Sequence, residues 1–290
     1  MKTQKISYKD TNQFNQLIID YVNHDKALSN YVSEFPNIDN FSHQIRKKSA
    51  DNIDRDLLVN VIKNQNKGVD LSKESEVNIE LLKEANTFTV TTGHQLCLFA
   101  GPLYFIYKIA SAINLVNSLK KKHPQYNFLP LFWLASEDHD FEEINSITLF
   151  NKEISWKTNQ KGPVGRMSLE GLDLLLEKIG DLIGHESNSE ELLAIFRKSY
   201  KKEYNLSMAT RVLVNELFGS YGLLVIDGDD SLLKQKLTNI IDEDINYNKF
   251  YDIIKSSSDK LSVKYHAQAY VRPINFFKIS DGERIRVKEK

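Results

Sequence analysis

The chain carries one cysteine, Cys97, among 290 residues. That excludes an intrachain disulfide and a multi-cysteine metal site, and it fits a reducing, cytoplasmic setting. An excess of one charge is also missing: 38 lysines and arginines oppose 39 aspartates and glutamates, for a formal net charge of −1. Without a basic surplus, no nucleic-acid partner is expected. Apolar runs are short. None approaches the roughly 20 residues needed to cross a bilayer, so no membrane partner is expected either. Residues 1–10 hold no apolar stretch of signal-peptide type. Internal repeats and low-complexity tracts are absent. Hydrophobic residues still make up 41%, enough for a real core in one large or two ordinary domains.

The stretch from Phe88 to Glu143 organises what is there. Phe88–Thr92 is a short β-branched and aromatic run that stops at Gly93, the pattern of a strand. Gly101 and Pro102 then open a helix, with Pro102 expected at its first position, where the missing N–H costs nothing. Phe105, Ile106, Ile109, Ile113, Val116 and Leu119 recur at helical spacing and form a face to bury. Lys120, Lys121 and Lys122 suit the negative end of that helix, and Pro124 ends it. Phe128–Ala135 is an apolar run without polar alternation, as in a strand buried on both faces. Strand, helix and strand at this spacing predict a βαβ unit with parallel strands. The loops after the two strands must then leave the same edge of the sheet, where open α/β sheets bind ligands. One loop brings Gly93, His94 and Gln95. The other brings Glu137, Asp138, His139 and Asp140.

Around this unit the sequence predicts an α/β fold with flanking helices. Residues 1–86 read as a helical region packed on the core. Its apolar stripes are Phe14, Leu17, Ile18, Tyr21 and Val22; then Ile53, Leu57, Leu58, Val61 and Ile62; then Val77, Ile79, Leu81 and Leu82. Residues 87–290 read as the core, with an insertion at about 150–205. Ile154, Trp156 and Thr158 alternate before the Gly162-Pro163 turn, which predicts a small β excursion. Helices are expected over Leu172–Ile183, Glu190–Tyr200 and Met208–Phe218, the last stopped by Gly219. Tyr221–Ile226 reads as a further buried strand. It delivers Asp227 and Asp229 to its carboxyl end, and they join the same cleft if strand order allows. Ser231 is the expected cap of a helix over Leu232–Ile245. Lys264–Val287 has strand character, with a hairpin turn at Asp281-Gly282.

The run Glu137–Asp140 is the densest ionisable cluster in the chain. Such groups at a strand end are costly to desolvate unless paired or used. They suit a base, a ligand clamp or, less well, a divalent-cation site. The alternative is a cap and salt-bridge cluster on an exposed loop. His139 is the natural general base, because its ordinary pKa lies near neutrality. Gly93, His94, Gln95, Gly101, Pro102 and Tyr104 surround a helix N-terminus able to attract phosphate or carboxylate. Lys108 either points into the cleft mouth or reaches back to water. Cys97 reads as a packed small residue rather than a nucleophile. Gly165-Arg166-Met167-Ser168 is superficially like the KMSKS loop of class I aminoacyl-tRNA synthetases, but its mid-chain place makes the likeness chance. Arg166 is kept as an anion contact.

The blocks TTGHQLCLFAGPLYFIYKIASAI and PLFWLASEDHDFEEIN, with GPVGRMSL, YGLLVIDGDD and YVRPINFFKISDGERIRV, resemble the bacillithiol biosynthesis cysteine-adding (BshC) family. The resemblance covers most of the chain after about Asn40. It implies a Rossmann-like core and a ligase that joins L-cysteine to the glucosamine amine of glucosaminyl malate, the last step of bacillithiol synthesis. It also implies a homodimer formed through a helical coiled-coil part beyond Lys290, so the chain is expected to be an N-terminal portion truncated within its core. Amide formation in water is uphill, so ATP or another nucleotide is the expected cosubstrate; dependence on a metal is left open. On this reading the Gly93–Tyr104 group lines the nucleotide or carboxylate site. Glu137, Asp138, His139 and Asp140 hold amino groups or supply the base. Two alternatives stand beside it: a non-catalytic ligand-binding portion of that enzyme, and a metal-dependent hydrolase or nucleotidyltransferase built on the Glu137–Asp140 loop.

Overall fold

The computed structural model describes residues 4–280 and 282–288. Contacts divide them into two compact units. One contains the chain up to Asn52, Asn239–Phe276 and the segment from Arg286; the other contains Ile53–Thr238 and Phe277–Ile285. The expected boundary at 86/87 falls inside the second unit, where helices Arg55–Gln65 and Lys73–Leu81 pack with the sheet.

The second unit is built on three parallel strands, β1 (Thr87–His94), β2 (Asn127–Leu134) and β5 (Leu224–Asp227), in the order β1-β2-β5. Helix Leu103–Lys122 makes the crossover from β1 to β2 and buries Phe105, Ile109, Ile113, Val116 and Leu119. It starts one residue later than its sequence suggests. Pro102 is its N-cap, in extended backbone, and Gly101 precedes it at φ +47°. β2 is apolar from Phe128 onward and buried on both faces except at Trp133, which is exposed. Phe132 and Leu134 join the larger core with helices Leu103–Lys122 and Leu206–Phe218. Leu129 and Leu131 join the smaller one with Val59, Ile62, Ile79 and Leu82. β1 is an edge strand, and its Thr89 and Thr91 face solvent.

The β excursion is an antiparallel hairpin of β3 (Ser146–Leu149) and β4 (Lys152–Ser155). Phe150 and Asn151 both have positive φ, as a tight two-residue turn demands. Trp156 follows, 1% exposed, donating Nε1–H to the Glu170 carbonyl at 2.9 Å. Helix Leu172–Ile183 has its expected bounds; Ser187–Ser199 and Leu206–Phe218 start two to three residues early. Asn205 sets the start of the last, its side chain accepting from the Met208 N–H.

Several local expectations are corrected. Helix Leu206–Phe218 ends with Gly219 as its C-cap, as expected, but Gly219 keeps right-handed backbone and opens a 3₁₀ turn, so the left-handed turn comes three residues later at Gly222, φ +71°. Asp230 rather than Ser231 caps the next helix, which is broken into Ser231–Gln235 and Thr238–Tyr247. The strand character expected from Lys264 is confined to β6 (Phe277–Ser280) and β7 (Glu283–Arg286). Gly282 lies between them at φ +77°, and Asp281 lies outside the described residues. The stripe on helix Gln16–Val22 is not core. Phe14, Ile18 and Val22 are exposed, and Asp20 is the buried residue of that helix.

In the first unit, Asp20 accepts from Gln16 Nε2 (2.6 Å), Lys264 Nζ (2.8 Å) and the Tyr265 hydroxyl (2.7 Å). The Lys264 contact, then Tyr265 and Gln16, hold its carboxyl down at about 2. Among the described residues no helix is long and apolar enough to cross a membrane.

Candidate functional site

Register decides where the polar loops go. His94 of β1 pairs with Leu134 of β2, and Leu134 pairs with Asp227 of β5. The three strands therefore end in one row, and the loops after them share a rim.

The first two loops are tied by Gln95. Its Nε2 donates to Asp138 Oδ2 (3.0 Å) and to Glu143 Oε2 (2.6 Å). Asp138 Oδ1 accepts the backbone N–H groups of His139 (2.7 Å) and Asp140 (3.1 Å). Burial raises the Asp138 pKa, but the donors Gln95, Asp140 and His139 outweigh it, and the carboxyl ends below its ordinary value. Asp138 thus holds the loop's shape. His139 is partly buried, and both ring nitrogens are closed to solvent without a hydrogen-bond partner. Asp140 is exposed and precedes the short helix Phe141–Ile144.

His94 Nδ1 lies 3.1 Å from the Gln95 carbonyl and 3.6 Å from Cys97 Sγ. Its ring packs against Phe105 (5.4 Å) and Tyr104 (6.1 Å). Cys97 is buried. Desolvation pushes its thiol up, and Glu143 and Asp138 add to this, so it is a poor nucleophile. Leu96 to Ala100 are all buried, which leaves Gly101 and Pro102, with the exposed Leu103 and Tyr104 of the first helical turn, as the accessible part of this stretch. Phe99, Ala100 and Gly101 have successive positive φ values. A Cβ on Gly101 would stand 2.3 Å from Cys97 Cβ, so only glycine fits there. Pro102 provides no side-chain cap for helix Leu103–Lys122, so its first N–H groups face the rim. Lys108 lies over the Tyr104 ring at 5.3 Å. Gly93 faces Trp133, whose carbonyl oxygen would sit 3.0 Å from an added Cβ.

The third loop closes the other side. The Asp227 carboxylate accepts the hydroxyls of Ser136 and Ser207 and the Asp229 N–H (2.9 Å). Asp229 receives Arg166 in bidentate fashion, at 2.6 and 2.8 Å, and Lys234 at 2.6 Å. Lys234 also reaches Glu137 at 2.7 Å. Burial raises the Asp229 pKa, but Arg166 and Lys234 outweigh it and hold the carboxyl low. The Gly162–Met167 segment is seated against the second loop by Val164 N–H to the Asp138 carbonyl (2.7 Å) and Gly165 N–H to the Ser136 carbonyl (2.9 Å).

The structure thus gathers His94, Gln95 and Asp138 at one end of the rim. Glu137, Arg166, Asp227 and Asp229 gather at the other. Tyr104 and Lys108 adjoin the first group through His94. Among the described residues no three His, Cys, Asp or Glu side chains converge as a metal site, so the cation reading of the Glu137–Asp140 loop finds no ligand set. Sequence reasoning missed Ser136, Glu143 and Lys234, although each lies within a few residues of a motif it used. It also missed Gln65, Ser207 and Arg211. These come from helices distant in sequence and carry no local signal.

Comparison with known proteins bears on this arrangement. The chain is 43% identical over 289 residues to a Flavobacterium johnsoniae protein named "putative cysteine ligase BshC", covering 99% of this chain and 54% of that protein. Proteins of the same name from Christiangramia forsetii and Cytophaga hutchinsonii are 42% and 36% identical, covering 100% and 99% of this chain and 55% and 53% of theirs. The chain therefore spans about half the length of the curated relatives it matches. It matches the family described as "Bacillithiol biosynthesis BshC, N-terminal Rossmann-like domain" over residues 1–290. With its parallel sheet and interlocked rim, the chain belongs to the BshC family, as that family's Rossmann-like domain.

Proposed function

We propose that this chain forms the substrate-binding rim of a ligase that joins the carboxyl of L-cysteine to the glucosamine amine of glucosaminyl malate. The observation that carries the reading is the row His94–Leu134–Asp227, from which three polar loops interlock at the ligand-binding edge of a parallel sheet. The names of the relatives supply the reaction class.

A nucleotide such as ATP fits the uncapped turn at Leu103 and Tyr104, where free N–H groups favour an anion, with Lys108 and the Tyr104 ring beside it. When bound, it supplies the free energy that activates the cysteine carboxyl. The nearby carboxylates of Asp138 and Glu143 are engaged by Gln95, which limits their repulsion of phosphate. His139 suits the proton acceptor for the attacking amine, because its ring nitrogens lack partners within the protein.

The test incubates the purified chain with glucosaminyl malate, L-cysteine and ATP, with product read by mass spectrometry and binding by calorimetry. Product from this chain alone supports the full ligase reading. Binding without turnover reduces its role to ligand binding. Failure of all three compounds to bind overturns the reading.

A further inference from the structure

β5 is the outer strand of the sheet, and its outward peptide groups are met by side chains instead of another strand. Arg211 Nη1 donates to the Val225 carbonyl at 2.7 Å. Gln65 bonds both the N–H (2.8 Å) and the carbonyl (2.9 Å) of Asp227. Beside this edge lies a cavity of about 220 Å³ walled by Gln65, Asn205, Ser207, Met208, Arg211 and the three carboxylates Asp227, Asp229 and Asp230.

Its chemistry is two-sided. Arg211 is 3% exposed, and among the described residues no carboxylate lies within ion-pairing distance of it. It has five N–H donors, and its hydrogen bonds go to the Val225 carbonyl, Asn66 Oδ1 (3.4 Å) and Gln65 Oε1 (3.0 Å). Donor capacity therefore remains on a buried cation. In the same wall, Asp227 Oδ2 accepts from Ser207 alone, and Asp230 Oδ2 meets Gln65 Nε2 at a long 3.4 Å. Both oxygens keep free lone pairs. Burial pulls the guanidinium down to about 10, against the raising effect of Asp227. Asp229 is already neutralised by Arg166 and Lys234, so an anion alone would meet the two remaining carboxylates, and a cation alone would meet the arginine. A small zwitterion satisfies both. The volume lies below the roughly 300–1,000 Å³ of pockets for drug-sized ligands, which suits a single amino acid better than a nucleotide or a glycoside.

We propose that this cavity is a subsite for a free α-amino acid, its carboxylate on Arg211 and its ammonium on Asp227 and Asp230. The identity of the amino acid as L-cysteine rests on the ligase reading above; the subsite itself does not.

The test titrates the whole chain with L-cysteine, L-serine, cysteamine and 3-mercaptopropionate. Backbone amide shifts of Ser207, Met208 and Asp229 are followed, and affinities are read by calorimetry. L-cysteine is expected to shift these amides saturably, with cysteamine and 3-mercaptopropionate at least tenfold weaker. Met208→Trp, which fills the cavity, is expected to weaken L-cysteine at least tenfold while the chain stays folded. If that variant does not fold, the comparison of the two half-analogues on the native chain decides. Three results overturn the subsite: no L-cysteine shift at these amides, equal binding of either half-analogue, or undiminished binding by folded Met208→Trp. L-cysteine shifts confined to Gly93–Tyr104 would sink the subsite and leave the ligase reading standing. L-serine binding as tightly as L-cysteine would uphold the subsite and count against the ligase reading.

Discussion

Gln95 Nε2 stands 3.0 Å from Asp138 Oδ2, and through this bond the loop after β1 holds the loop after β2. The same nitrogen reaches Glu143 at 2.6 Å, so one neutral amide separates two carboxylates. Replacing the amide by an acid removes the donor and adds a third negative charge. Gln95→Glu is expected to destabilise the second unit at neutral pH by about 1–3 kcal/mol. The deficit should shrink as pH falls and the crowded carboxyls take up protons. Urea unfolding at pH 7 and pH 5 measures both effects.

Gly165 has no room for a side chain. A Cβ there would lie 2.4 Å from Ser136 Cβ and 2.9 Å from the Ser136 carbonyl oxygen. Gly165→Ala must push the Gly162–Met167 segment off the rim. The expected cost is about 1–3 kcal/mol, the range for overpacking. Denaturant midpoints check it, and weakened substrate binding should accompany the loss.

Asp229 joins Arg166 to Lys234, and Lys234 carries the link to Glu137. Arg166 and Lys234 are themselves substantially exposed, so solvent screens the network. Asp229→Asn is expected to cost about 1 kcal/mol, less at high salt. The carboxyl is held below its ordinary pKa, so its stabilisation is present at neutral pH and lost as pH falls through the folded-state value. The gap between wild type and variant should therefore close in acid.

His139 carries two solvent-closed ring nitrogens without partners. With His139 as the proton acceptor of the proposed reaction, His139→Ala should lower its rate by about 10²–10⁴, with little change in folding. An unchanged rate removes His139 from the chemistry. Steady-state kinetics and a thermal melt together decide.

Asp20 reports on the first unit. Its carboxyl is held at about 2 against an ordinary 3.8, chiefly by Lys264. The stabilisation is complete above pH of about 4 and is lost as pH falls toward 2. Asp20→Asn should unfold at lower urea than wild type at pH 7, with the gap narrowing below about pH 4 and the two midpoints converging as pH falls to about 2.

The βαβ unit was legible because period and punctuation agree. A β-branched run ends at Gly93, a helical face repeats from Phe105 to Leu119, and an apolar run follows from Phe128. The start of helix Leu103–Lys122 was misread by one residue, since proline satisfies the geometry of a cap as readily as that of a first turn. The exposed stripe of Phe14, Ile18 and Val22 shows the limit of periodicity. An amphipathic pattern marks a face, and burial depends on whether another element covers it.

Local chemistry determined the strands, the crossover helix and the polar loops, because each depends on residues within one or two turns of chain. The chain's own order could not say that β5 lies beside β2, nor that Asp227 would meet Ser136 and Ser207. It also could not place Gln65 and Arg211 on the open edge of β5. Those pairings join residues 14 to 162 positions apart. They arise from hydrogen-bonding groups left unsatisfied at a sheet edge, and that need exists only once the strands have assembled.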